Sequence, residues 1–374
     1  MEQRYHYAAL DGLRGLAAMS VLLFHLGHWY GENWLATNAG LAVDFFFCLS
    51  GYVLSIAYRA KFDAGLDTRT FLRIRAVRLV PVIIVGTLIS AAYLFARGLG
   101  LGDDAISLAE VALATVLGMA CLPMFTASAA IGGPQVFPLN GPQYTLFLEL
   151  VVNIIWALTQ RIESLWTAIA IVVISYTLTA IYGFAGDDVA TFWTGFPRVL
   201  GAFYAGVAVF CAQRRYTLLT DPRWGRLFVP LLGLSFILFY WPTLLWFPIA
   251  WSWSLLVSPL LVISGARVML VGATRRTALA LGELSYPVYA LHYPIFVWVN
   301  AVYQQLLGRR DTAICSVLVV IAVVIGSTLV LKLVDEPTRA WISRNLRAQG
   351  ERRAAQAGST ELGAAKGRGQ IRRG

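Results

Sequence analysis

The stretch LDGLRGLAAMSVLLFHLGHW, residues 10–29, decides what kind of chain this is. It is apolar enough to enter a bilayer, yet it carries Arg14 near one end and His25 well inside. At about 3.6 residues per turn, three turns separate the two, so both side chains fall on one helix face about 16 Å apart. An ionisable group inside a spanning helix costs at least ~2.5–3.5 kcal/mol on insertion scales, and such groups face an interior cavity and mark function. The rest of the chain reads as helices that build a cavity against that face.

Composition agrees with this reading. The chain has 374 residues, of which 58% are hydrophobic and 13% charged, against about 25% charged in a soluble chain. It reads as an all-α polytopic membrane protein. The net charge of +10 comes from Arg in short loops between apolar runs and in the tail, a pattern of membrane orientation that argues against nucleic-acid binding. Cys48, Cys121, Cys211 and Cys315 lie in or beside apolar runs without metal-ligand spacing, so they read as small core hydrophobes and no metal is expected. The first apolar run lacks a small-residue cleavage site and should be retained.

A span needs about 20 mainly apolar residues. Candidates are 10–29, 39–58, 77–96, 107–124, 143–160, 165–184, 191–211, 227–241, 245–266, 284–306 and 312–334. Loop 59–76 holds Arg59, Lys61, Arg69, Arg73 and Arg75, which places it in the cytoplasm with the N-terminus. Arg161, then Arg214, Arg215, Arg223 and Arg226, then Arg267, Arg275 and Arg276, and last the tail follow in every second loop. The loops between them hold Asp187 and Asp188, almost nothing at 242–244, and Arg309, Arg310 and Asp311. Both halves obey the charge rule only if 97–142 starts and ends outside, with 107–124 either re-entrant or completed as a short hairpin by 125–142. The expectation is therefore ten transmembrane helices plus a re-entrant segment at 107–124, with Gly132, Gly133, Pro134, Pro138, Gly141 and Pro142 giving irregular buried backbone after it. Span 227–241 is the short one. A membrane domain occupies 1–340, and the basic tail 341–374 reads as disordered and cytoplasmic, near anionic headgroups.

Orientation turns positions into depths. Arg14 lies near the cytoplasmic face and His25 in the outer half, while Asp44, in VDFFFCLSG, reaches a depth similar to that of His25. A carboxylate there can orient an imidazole as in hydrolase triads; a packed polar pair is the plainer alternative. His28 lies one turn further out, at the interface. Arg75 and Arg78 share a helix face at the cytoplasmic end of the third span. They serve either as a positive-inside anchor or, with Arg14, as a phosphate clamp. Glu149 shares a face with Asn153, and Arg198 sits within 191–211. In LSYPVYALHYPIF, Pro287 suits a helix start, Pro294 frees the Ala290 carbonyl, and Tyr286, Tyr289 and His292 roughly share a face. Each alone is explicable as an interhelical polar contact; together they suggest one polar chamber through the bundle. Trp29, Trp34, Trp241, Trp246, Trp251 and Trp253 read mostly as an interfacial belt.

These motifs resemble acyltransferase family 3, the integral membrane O-acyltransferases. Arg14 and His25 within LDGLRGLAAMSVLLFH resemble the family's opening signature, VDFFFCLSGYVLS its second-span motif, and RAVR at 75–78 its Arg-x-x-Arg. TLFLE resembles the element that places Glu149, with the usual Ser replaced. LSYPVYALHYP resembles the closing motif, and DEPTR at 335–339 the end of the last span. The resemblance runs from residue 8 to about 340. It implies a ten-span fold in a bacterial inner membrane and transfer of an acyl group, commonly acetyl, from cytoplasmic acyl-CoA to a hydroxyl of a carbohydrate or glycolipid acceptor. The acceptor classes are O-antigen, exopolysaccharide, lipooligosaccharide or peptidoglycan. An SGNH-type hydrolase domain, fused in many relatives, would here be a separate periplasmic partner.

The expected site combines Arg14, Arg75 and Arg78 on the donor phosphates with His25 as base and Asp44 as its orienter. Glu149 and His292 follow as positioning or proton-transfer groups. Direct transfer and a covalent acyl-His relay both remain open. The competing reading is a proton-coupled exporter or flippase, since buried His, Asp and Glu also make proton relays.

Overall fold

A computed structural model describes residues 7–31, 35–100, 105–183, 186–241, 247–308, 311–342 and 344. Its helices are α1 (Ala8–Tyr30), α2 (Leu41–Asp63), α3 (Thr68–Gly100), α4 (Leu108–Met119), α5 (Gln143–Thr159) and α6 (Leu165–Tyr182). They continue with α7 (Gly195–Arg215), α8 (Phe228–Tyr240), α9 (Phe247–Ser252), α10 (Ser258–Gly265), α11 (Gly272–Leu307) and α12 (Thr312–Val330). Among the described residues eight helices are long and apolar enough to cross a membrane. The protein is an all-α, multi-pass membrane protein.

The two other expected spans are helical, with a different build. Span 245–266 is α9 and α10 joined by a π-helical turn at Trp253–Val257. Span 284–306 lies inside α11, whose 36 residues extend about 54 Å and open with the polar Arg275, Arg276 and Glu283. Pro287 therefore stands inside a helix and does not start one. Span 227–241 gains length from a 3₁₀ stretch at Pro222–Leu227, giving 19 continuous residues. The expected re-entrant element is α4, whose 12 residues reach about 18 Å, short of a ~30 Å hydrocarbon core. Irregular chain follows it to α5, docked through Glu110, which accepts from Ser128 N and Ser128 Oγ at 2.6 and 2.8 Å. Trp34, Trp246, Arg309, Arg310 and the tail beyond Arg344 lie outside the described residues.

The apolar surface follows the logic of a lipid solvent. On α12, Ile314, Val317, Ile321, Ile325 and Leu329 are exposed, while Cys315, Val319, Val323 and Ser327 are buried. A continuous exposed apolar stripe of this kind would aggregate in water and is neutral against acyl chains. Small residues let the helices approach on the inner faces. A Cβ placed on Gly206 of α7 would stand 1.8 Å from the Cys48 carbonyl oxygen of α2, and one on Gly282 of α11 would stand 2.6 Å from Asp11 Cβ of α1. Gly206→Ala is expected to force α2 and α7 apart at a cost of about 1–3 kcal/mol. The check is the thermal midpoint of the purified protein in detergent, and an unchanged midpoint would show that the two backbones are not in contact.

Candidate active site

Helices α1 and α11 run side by side in the same direction. Asp11 meets Gly282, Arg14 meets Ser285 and His25 meets His292. This pairing brings residues about 270 positions apart into one site, in the same order along both helices. Arg14 donates from Nε to Ser285 Oγ at 2.8 Å and from Nη2 to the Gly282 carbonyl at 2.6 Å, and Nη2 lies 3.2 Å from Asp11 Oδ1. One helix turn thus supplies both acceptors, because Gly282 and Ser285 are three apart.

The fixed guanidinium lines a cavity of about 120 Å³, enough for several waters. Five helices contribute to it: α1 with Arg14, α2 with Phe46 and Ser50, α3 with Arg75 and Arg78, α5 with Thr145 and Glu149, and α11 with Ser285, Tyr286 and Tyr289. Arg75, 5% exposed, donates from Nη2 to Glu149 Oε1 at 2.8 Å, and Ser50 Oγ donates to the same oxygen at 3.4 Å. Its Nε is buried without a partner among the described residues. Arg78 makes neither a hydrogen bond nor an ion pair among them. Glu149 offsets Arg75 and Asp11 offsets Arg14, so Arg78 leaves the cavity one positive charge in excess.

Both histidines stand outside this cavity. Their rings are 5.0 Å apart, edge to face, within an aromatic cluster that holds Trp29 5.3 Å from His25 and stacked 5.9 Å from His292. His25 Nδ1 lies 3.2 Å from the Val21 carbonyl, and His292 Nδ1 lies 2.7 Å from that of Tyr289. A carbonyl only accepts, so each Nδ1 carries a proton, and in the imidazole form the lone pair is on Nε2. Nε2 of His292, fully buried, has no partner among the described residues. That tautomer suits a base.

Asp44 is not the orienter of His25. Its Oδ1 accepts from Arg198 Nε at 2.7 Å and its Oδ2 from Ser254 Oγ at 2.9 Å, while Arg198 Nη2 donates to the Gly40 carbonyl at 3.0 Å. A carboxylate 1% exposed needs a full countercharge, and Arg198 on α7 supplies it because α2 and α7 touch at Gly206. The expected single chamber is therefore three polar places: the Arg cavity, the histidine pair and the Asp44–Arg198–Ser254 knot. Trp253, expected at the interface, is buried and donates to the Leu41 carbonyl at 2.8 Å, and His28 is exposed.

Several positions escaped the sequence reading. Asn140, from the irregular chain after α4, donates Nδ2 to the Ala290 carbonyl at 3.0 Å, the carbonyl that Pro294 leaves without a helical donor. Pro294 signalled a free acceptor, and only the fold showed what fills it. Thr145 Oγ1 lies 2.6 Å from Tyr289 Oη, and Tyr286 Oη donates to the Leu79 carbonyl.

Comparison with known proteins gives this geometry a family. A family described as an acyltransferase domain matches residues 7–332. "Protein 2 in picA locus" of Rhizobium radiobacter is 36% identical over 165 residues, covering 40% of this chain and 81% of that protein. A Bacillus subtilis protein named "Putative peptidoglycan O-acetyltransferase YrhL" is 39% identical over 82 residues, 21% of this chain and 12% of its own length. A Staphylococcus aureus protein named "Putative O-acetyltransferase SACOL0978" is 37% identical over 78 residues, again 12% of its length. No solved structure matches. With the family matched over nearly all of the helical bundle, and with the Arg cavity and the paired histidines inside that match, the chain belongs to the membrane acyltransferase family that its motifs resemble.

Proposed function

We propose that this acyltransferase carries an acyl group, acetyl first, from cytoplasmic acyl-CoA across a bacterial inner membrane to a hydroxyl of a glycan or glycolipid. The observation that carries the reading is the convergence of Arg14, Arg75 and Arg78 on one cavity, with Arg75 Nε buried without a partner among the described residues. Guanidinium forks pair bidentately with phosphates, and CoA offers a pyrophosphate and a 3′-phosphate. Glu149 holds Arg75 in place and Ser285 holds Arg14. The Arg-rich loops support a cytoplasmic place for this end and for both termini. The names of the Bacillus and Staphylococcus relatives support O-acetyl transfer, and the Bacillus name a saccharide acceptor.

His25 Nε2 takes the proton of the acceptor hydroxyl. The oxygen attacks the thioester carbonyl, the C–S bond breaks, and the imidazolium returns the proton to the CoA thiolate. His292 backs His25 within the water-poor aromatic cluster. An acyl-His intermediate would use the same lone pair, and acid-quenched mass spectrometry of the intact protein distinguishes the two routes.

The reading is tested by acetyl-CoA binding to the purified protein in nanodiscs, with Arg78→Ala beside the wild type. Loss of a charge-assisted contact is worth about 1.5–3 kcal/mol, so the dissociation constant should rise roughly tenfold or more at an unchanged thermal midpoint. Equal binding by both proteins would remove Arg78 from the clamp. Mass spectrometry of surface glycans from cells with and without the gene then identifies the acceptor. Export of an intact molecule without acyl-CoA consumption would instead favour the exporter.

A further inference from the structure

The cavity and the histidines are separate, and Tyr289 stands between them with Phe46 against it. Phe46 and Tyr289 both line the cavity and meet edge to face at 5.7 Å between centroids. Behind Tyr289 lies His292, ring to ring at 5.9 Å, and behind that His25 at 5.0 Å. Tyr289 is pinned, because it is buried and its hydroxyl is tied to Thr145. Phe46 is half-buried, carries no polar tie, and packs against both the central core and the cluster around Leu22, Leu26 and Val288.

We propose that Phe46, closing against Tyr289, selects the length of the acyl group. This rests on the acyl-CoA reading above. With its phosphates on the Arg side, a thioester enters the cavity acyl end first and meets this ring pair before it can reach an imidazole. Rotation of one phenyl ring opens room for a methyl group. A longer chain must push Phe46 into the packed cluster behind it, and the first methylene that a closed apolar site cannot admit costs about tenfold in selectivity. Phe46 is a specificity residue: it shapes the passage and takes no part in the proton transfers.

The test measures binding of CoA, acetyl-CoA, butanoyl-CoA and octanoyl-CoA to the full-length protein in nanodiscs, for the wild type, Phe46→Ala and Phe46→Leu. The wild type should bind octanoyl-CoA at least tenfold more weakly than acetyl-CoA. Phe46→Ala should bring the two within about threefold and Phe46→Leu should fall between, each read as the ratio of octanoyl-CoA to acetyl-CoA binding within one protein. Should Phe46→Ala fail to fold, the wild-type series and Phe46→Leu still decide. A wild type indifferent to chain length, or variants that keep the wild-type preference, would overturn the selector and leave the donor reading standing. Absence of binding to CoA and acetyl-CoA by the wild type would overturn the donor reading itself, and the selector with it.

Discussion

His25→Ala is expected to lower acyl transfer by about 10²–10⁴-fold, the usual contribution of a positioned general base, while the protein remains folded. Two features of the structure make the loss chemical. The only hydrogen-bonding contact of the ring among the described residues is Nδ1 to the Val21 carbonyl one turn back in its own helix, so truncation strands no partner on another helix. The ring edge that touches His292 and Trp29 leaves a small void beside groups that stack on each other. The measurement is CoA release together with the acetyl-sized mass on the acceptor, at matched protein amount and thermal midpoint. Activity within tenfold of the wild type would assign the base elsewhere, with His292 the next candidate because its Nε2 is buried and unpartnered.

Asp44→Ala should behave in the opposite way, with a loss of stability first. It leaves the Arg198 guanidinium, 13% exposed, without its countercharge, and breaking one side of a buried pair costs about 3–5 kcal/mol. Three elements part together, since the carboxylate joins α2 to α7 and to the π-helical turn that carries Ser254. The thermal midpoint in detergent should fall by several degrees, and the double variant Asp44→Ala with Arg198→Met should recover part of it, because no lone charge then remains. A midpoint equal to the wild type with transfer abolished would restore Asp44 to the histidine and refute the structural role. The contrast separates the base proposed on α1 from the buried ion pair on α2 that joins three elements.

Much of this was legible in the sequence because a bilayer allows few solutions. Backbone groups in hydrocarbon must satisfy themselves, so apolar runs of sufficient length become helices: α1, α3 and α11 contain the spans read from hydropathy, and α2 and α12 cover all but the edge residues of theirs. The face shared by Arg14 and His25 follows from helix pitch alone. The 12-residue α4 follows from charge balance across the loops together with the Gly and Pro that come after it. The Arg side of the site was legible for the same reason: Arg75 and Arg78 lie three apart on one helix, at the depth of Arg14.

Which helix lies beside which was not determined by sequence, because lipid-facing and protein-facing apolar residues are chemically alike. Helix neighbours are chosen by close backbone approach and by buried polar pairs, both of which are properties of two segments at once. Asp44 and His25 have matching depths, yet Gly206 lets α7 against α2 and puts Arg198 nearer the carboxylate. His25 and His292 meet because α1 and α11 run parallel from the contact of Asp11 with Gly282, and no spacing within either segment announces it. The sequence by itself determined the membrane class, the helical spans and the one-sided Arg–His face, since these depend on local periodicity and charge. Only the tertiary structure decided the partners of Asp44 and His25 and the Phe46–Tyr289 pair on the cavity wall, since these depend on which small residues allow two distant helices to touch.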